Sequence, residues 1–184
     1  MTERQRQKTV LALGFFDGIH VGHAALLEMA KKRAGELGAE AAVLTFDNHP
    51  DDFVKKTHVA LINSPADRSY ILRRWFDLER VYYIHFNEET MRLSWQSFLE
   101  QVVAAYDAVH FVVGHDFCFG CRGEGTAEKL RAWCEERDLG CDVIPAVKLD
   151  GVVVSSTHIR SLLTEGRMAE ANRFLGHPHV LSDT

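Results

Sequence analysis

The chain has 184 residues, 46% hydrophobic and 26% charged, a composition that suits one globular domain with a sizeable core. Its formal net charge of -5 supplies no basic field for a nucleic-acid backbone, so no nucleic-acid partner is expected and any phosphate must be held by local groups. No apolar run approaches the ~18 residues of a membrane span, and the opening MTERQRQKTV lacks a signal-peptide core, so a cytoplasmic chain with no membrane partner is expected.

Residues 10–30 read VLALGFFDGIHVGHAALLEMA. The apolar run before Gly14 suggests a buried strand. Val21, Ala25, Leu26 and Met29 recur at helical spacing, so a helix begins near Val21. His20 then stands at its entry and His23 one turn inside, on the same face. A helix N-terminus offers free backbone N–H groups and a favourable dipole to an anion. The glycine-lined turn with two histidines therefore reads as a phosphate site. It is neither the G-x-G-x-x-G dinucleotide fingerprint nor a G-x-x-x-x-G-K-[ST] loop.

Residues 41–46 (AAVLTF) form a second strand candidate, closed by the turn signal Asn48, His49 and Pro50. Residues 51–68 are polar and read as an irregular flap, with Arg68, Arg73 and Arg74 expected in solvent. Asn63 or Ser64 can cap a helix whose apolar face is Ile71, Leu72 and Trp75. A third strand candidate, 81–86 (VYYIHF), precedes a helical pattern of Phe98, Leu99, Val102, Val103 and Tyr106. A fourth, 109–114 (VHFVVG), runs into GHDFCFGCRGEGT, a loop with four glycines, Asp116, Phe117 and Phe119. Phenylalanines beside a polar anchor suit a planar ring with hydrogen-bonding edges. Cys118 and Cys121 have C-x-x-C spacing but no second pair answers them, so free thiols are expected. A helix over 126–137 precedes the fifth strand candidate, 141–147 (CDVIPAV). Ser155, Ser156 and Thr157 are N-cap candidates for a helix bearing Ile159, Leu162 and Leu163.

Strands alternating with helical patterns predict an α/β fold with a five-stranded, mostly parallel sheet and helices on both faces. Ligands of such sheets bind at the carboxyl ends of the strands. The 14–23, 46–50 and 114–120 stretches follow strand ends, and 155–160 opens a helix after the fifth candidate, so four motifs converge on one edge.

These stretches resemble one family. GFFDGIHVGH is similar to the FDGxHxGH signature of bacterial FAD synthetases, the FMN adenylyltransferase module of bifunctional flavokinase/FAD synthetases within the HxGH nucleotidyltransferase superfamily. TFDNHP is similar to TFxPHP, GHDFCFGCRG to GxDFxFGxxRxG, SSTHIR to the SSTxIR part of ISSTxIR, and GRMAEANRFLGHPH to GxxxxAxxLLGRPY. The chain departs from the pattern at Phe15, often asparagine there, and at Asn48, Cys118 and His158.

The resemblance implies a Rossmann-like nucleotidyltransferase fold: one FAD synthetase domain over residues 1–184, with no riboflavin kinase domain. It implies ATP and FMN as substrates, Mg²⁺ with the ATP, and FAD and pyrophosphate as products. Catalytic roles fall on His20, His23 and Arg160. ATP binding falls on Gly14, Phe15, Phe16, Gly18, Gly22, His23, Ser156, Thr157 and Arg160. Flavin binding falls on Phe46, His49, Pro50, Asp116, Phe117 and Phe119. Two alternatives stay open: a nucleotidyltransferase with another acceptor, and a flavin- or nucleotide-binding homologue with reduced turnover.

Overall fold

A computed structural model describes residues 7–181; residues 1–6 of the N-terminal stretch read above, and 182–184, lie outside it. The five apolar runs form the strands β1 (Thr9–Leu13), β2 (Glu40–Phe46), β3 (Arg80–Ile84), β4 (Ala108–Gly114) and β7 (Gly140–Ile144), with the short antiparallel ribbons β5 (Cys118–Phe119)/β6 (Gly125–Thr126) and β8 (Lys148–Leu149)/β9 (Val152–Val153) after β4 and β7. The sheet order is β3-β2-β1-β4-β7, and every neighbouring pair is parallel. The helices are α1 (Val21–Leu37), α2 (Pro50–Val54), α3 (Pro65–Phe76), α4 (Glu88–Arg92), α5 (Trp95–Tyr106), α6 (Ala127–Glu135), α7 (Ser156–Thr164) and α8 (Met168–Leu175).

The central strand β1 is buried along its whole length, which is why residues 10–13 are continuously apolar rather than alternating. Successive side chains still point to opposite faces. Leu11 and Leu13 join Phe98, Leu99, Leu130 and Trp133 of α5 and α6. Val10 and Ala12 join Leu26, Leu27, Ile71 and Leu72 of α1 and α3 on the other face. Each fully buried aliphatic side chain of Val or Leu size contributes roughly 1.5–3 kcal/mol, so β1 holds both layers through alternate residues. A smaller core of Ile62, Val154, Ile159, Leu162, Phe174 and Leu175 packs α7 and α8 beside the sheet.

Several boundaries differ from the sequence expectation, each for a local reason. The fifth strand stops at Ile144 rather than residue 147, because Pro145 has no N–H to give the ladder. The stretch 51–68 is not wholly irregular: α2 is capped by His49, and α3 starts at Pro65 after the Ser64 cap. The segment between β3 and β4 forms two helices, with Asn87 capping α4 and Ser94 capping α5.

Arg68 is a correction. It was expected in solvent, yet its side chain is fully buried. Its guanidinium donates to the Phe15 carbonyl (2.9 Å), Thr45 Oγ1 (2.9 Å) and the Phe46 carbonyl (2.8 Å), and it lies 5.0 Å from the Phe15 ring centroid. Burial lowers its pKa from the ordinary arginine value. The fork thus ties α3 to the ends of β1 and β2. Arg68→Ala strips the Phe46 carbonyl of this donor and leaves the Phe15 carbonyl and Thr45 Oγ1 only the bond between them, and it is expected to cost about 3 kcal/mol of stability, read by urea denaturation. Arg68→Lys, with one compact charge in place of a planar fork, should recover only part of that loss.

Candidate active site

The strand order reverses direction at β1, because α1 leads to β2 on one side while β4 lies on the other. The crevice at that switch point is where such sheets bind ligands. Here it is a cleft of about 480 Å³. Its walls come from the turn after β1, the turn after β2, the loop after β4, the 144–147 segment after β7, and the start of α7.

The turn after β1 is strained. Phe16 (φ 56°) and Ile19 (φ 46°) hold left-handed backbone, costly for an aromatic and a β-branched residue, and Gly18 (φ 84°) shares that region. Asp17, at 1% exposure, fastens it. Its carboxylate accepts from the backbone N–H groups of Ile62 (3.0 Å) and Asn63 (3.1 Å) and from the Arg160 guanidinium (2.8 Å). Its carbonyl accepts from the Ser156 hydroxyl at 2.8 Å.

The turn delivers two histidines that cap one another. His20 is the N-cap of α1, and its Nδ1 accepts from the His23 N–H, while His23 Nδ1 accepts from the His20 N–H, each at 3.2 Å. Both Nδ1 atoms are acceptors, so in the neutral rings both hydrogens sit on Nε2. The rings stack with centroids 3.6 Å apart and planes 11° from parallel. Gly22 allows this, since a Cβ there would come within 2.9 Å of His20 Cε1. Burial drives the His20 pKa down to about 4. Burial, and then the neighbouring His20, push His23 well below its ordinary value. The pair thus presents two neutral N–H donors.

Opposite, Ser155 caps α7 by accepting from the His158 N–H at 3.2 Å. Ser156 and Thr157 occupy the first turn and line the cleft. The Ser156 hydroxyl hydrogen is used on Asp17, which leaves backbone N–H groups and the Thr157 hydroxyl as donors this terminus offers an anion. Two helix N-termini thereby face one cleft.

Most residues expected at the site line this cleft: Gly14, Phe15, Phe16, His20, Gly22, His23, Phe46, His49, Pro50, Asp116, Phe117, Ser156 and Thr157. His49 caps α2, accepting from the Asp51 N–H at 3.1 Å, and packs edge-on against Phe15 at 4.7 Å. Burial is the main cause of its lowered pKa. Gly18, Arg160 and Phe119 stand back from the walls. Arg160 is paired with Asp17, and Gly18 packs against Ile62 and Leu175. Phe119 is buried behind Phe117, stacked on it at 5.6 Å and packed against Phe98. The sequence reading missed Pro145, Ala146, Val147 and Val153, which complete the apolar wall. A proline ending an apolar run after a strand was the signal available for them.

Among the described residues no helix is long and apolar enough to cross a membrane, and no group of three or more His, Cys, Asp or Glu is placed to hold a metal ion.

A family model described as FAD synthetase matches residues 2–158. The chain is 33% identical to the bifunctional riboflavin kinase/FMN adenylyltransferase of Listeria monocytogenes over 95% of its length and 56% of that protein's. It is 31% identical to the Bacillus subtilis protein of the same description, over 98% of this chain and 57% of that one. A FAD synthetase of L. monocytogenes is 27% identical, over 97% of this chain and 73% of its own. Among solved structures, a macrolide-efflux protein from Streptococcus pneumoniae superposes with TM-score 0.85 at 32% identity, over 94% of this chain and 56% of that one. The chain thus spans little more than half the length of the bifunctional relatives.

The neutral histidines set a stability slope. Below pH ~6.5 the unfolded chain protonates His20, while the folded chain holds it neutral down to about 4. Stability is therefore fully present above ~6.5 and falls as pH drops through that window, by about 3 kcal/mol for His20. His20→Asn keeps an acceptor for the His23 N–H and removes the titration. Its denaturation free energy, measured from pH 7 to 4, should fall less steeply than that of the native chain.

Proposed function

The chain belongs to the FAD synthetase family, and from that premise we propose that it transfers the adenylyl group of ATP to FMN, giving FAD and pyrophosphate. The observation that carries this reading is the pairing of two helix N-termini, one armed with the Nε2–H groups of His20 and His23, across a cleft whose remaining wall is apolar. The triphosphate suits the first part and the isoalloxazine the second.

The chemistry matches what the cleft lacks as well as what it holds. An FMN phosphate oxygen attacks the α-phosphorus of ATP, a new P–O bond forms, and the bond to the β-phosphate breaks to release pyrophosphate. The attacking monoester is mostly dianionic at neutral pH, because its second pKa is near ~6. No protein nucleophile or strong base is needed; catalysis is alignment and charge stabilisation. His20 and His23, neutral by burial, would donate to the α-phosphoryl oxygens as charge develops. The backbone N–H groups of Ser156 and Thr157 would hold the β- and γ-phosphates. Arg160, paired with Asp17, would add positive potential from behind. Phe46, Pro50 and Phe117 would seat the ring, with Asp116 and His49 near its polar edges.

Mg²⁺ belongs to this reading as the ion that arrives with ATP. The cleft is lined by only two carboxylates among the described residues, Asp51 and Asp116. That donor set fits an ion held chiefly by phosphate oxygens and water, which would neutralise phosphate charge.

A second reading follows from Arg160 and His158. The arginine is committed to Asp17, and His158 packs edge-on against Phe174 at 4.9 Å, so neither lines the cleft as a free cation. A flavin- or nucleotide-binding homologue with reduced turnover would look the same. Incubation with FMN, ATP, Mg²⁺ and pyrophosphatase separates the two: FAD accumulates under the first, whereas under the second both ligands bind and no FAD forms. His23→Ala is expected to lower kcat by roughly 10²–10³. Near-native turnover in that variant would remove His23 from the transition state.

A further inference from the structure

The segment after α8 crosses behind the strained turn. His177 follows the left-handed cap at Gly176 and is 5% exposed. Its Nε2 lies 3.0 Å from the Gly18 carbonyl oxygen and 3.2 Å from that of Ile19, and its Nδ1 lies 2.8 Å from the Pro178 carbonyl oxygen. A carbonyl oxygen only accepts. Each ring nitrogen in these contacts must therefore carry a hydrogen, and a neutral imidazole has only one. With the neutral ring, a lone pair would face a buried carbonyl. The doubly protonated ring fills every contact.

A second observation agrees. The His177 ring stacks on Trp75, with centroids 5.3 Å apart and planes 24° from parallel, and an aromatic face favours a cation. Ionisable groups on the elements around it include Asp17 and His20 in the turn, Tyr70, packed on Trp75 at 5.8 Å, and Arg74 on α3, and His179 in its own segment. The Asp17 carboxylate is already filled by Ile62, Asn63 and Arg160. His179 Nε2 lies 3.2 Å from the Ile62 carbonyl, and Arg74 sits 6.0 Å from the Trp75 ring centroid. The His177 ring thus donates to backbone carbonyls.

Gly18 and Ile19 immediately precede His20, and both have positive φ. We infer that His177 is a positioning residue: as an imidazolium it clamps the Gly18 and Ile19 carbonyls and holds the backbone that delivers His20 and His23 to the cleft. Loss of its proton removes one of the clamp's two ends and lets the turn relax. The site's geometry then depends on pH through a residue that never touches substrate.

The test has two arms. The kinetic arm rests on the adenylyl-transfer reading; the spectroscopic arm does not. Nitrogen-15 NMR of the full chain with labelled histidine, from pH 5 to 8, reads the ring directly. At the acid end both His177 nitrogens should show protonated shifts, and His177→Arg should remove that signal and no other. In FAD formation, native kcat should decline toward pH 8 while that of His177→Arg, a permanent cation with several donors, stays flat, with KM for ATP and FMN changed less than about twofold. His177→Phe keeps the stack without the donors and should lose about 10²-fold in kcat at every pH. A His177 ring with one N–H throughout the range overturns the clamp, as does a native pH profile and turnover in His177→Phe. If the native chain makes no FAD, the transfer reading fails, and the nitrogen shifts alone decide the clamp.

Discussion

The buried carboxylate of Asp17 is the interaction on which the site depends. An ionised carboxylate removed from water is tolerable only when its oxygens are filled by donors. These come from three places: the Ile62 and Asn63 backbone, and Arg160 on α7. The same residue's carbonyl takes the Ser156 hydroxyl. One side chain therefore sets the distance between the N-terminus of α1 and that of α7. Its neighbours Phe16, Gly18 and Ile19 tolerate left-handed backbone because these bonds over-determine the turn.

Around this hub the cations are set back and the donors set forward. Arg68 lies under Phe15 and Arg160 under Asp17, each bonded to protein oxygens. The groups lining the cleft at the turn are histidines kept neutral by burial. Neutral, pre-aimed donors in front of buried positive charge suit a reaction in which negative charge moves between phosphate groups. They also avoid placing a strong surface cation where a free anion would bind indiscriminately. A chain with net charge -5 cannot rely on long-range steering, so this local arrangement has to suffice.

Much of this was legible in residue order. The five strand runs, the helix start at Val21 and the convergence of four motifs at one sheet edge follow from apolar periodicity and turn residues, which are local signals. What escaped depends on contacts distant in sequence. Arg68 sits in a polar stretch at the start of a helix, and nothing nearby in the chain tells that Phe15, Thr45 and Phe46 will enclose it. Phe117 and Phe119 are two positions apart, a spacing that strand alternation would put on one face, yet Phe117 lies just before β5 and lines the cleft while Phe119 plugs the core. His177 lies in a segment that looks like a polar tail.

The bonds that organise the turn join parts of the chain far apart: Asp17 to Arg160 across 143 positions, and His177 to Gly18 across 159. The sheet's own pairings β1–β2 and β2–β3 close much shorter loops. Long loops carry the larger closure entropy and such contacts are made late in folding. The β3-β2-β1 part of the sheet can thus pair while the turn is still loose, although β1 must also reach β4, Thr9 beside Ala108. During synthesis the cleft would take its shape only when α7 and the segment behind it have docked. The site depends on contacts that span most of the chain, so ligand binding marks completion of the fold more sharply than helix content does.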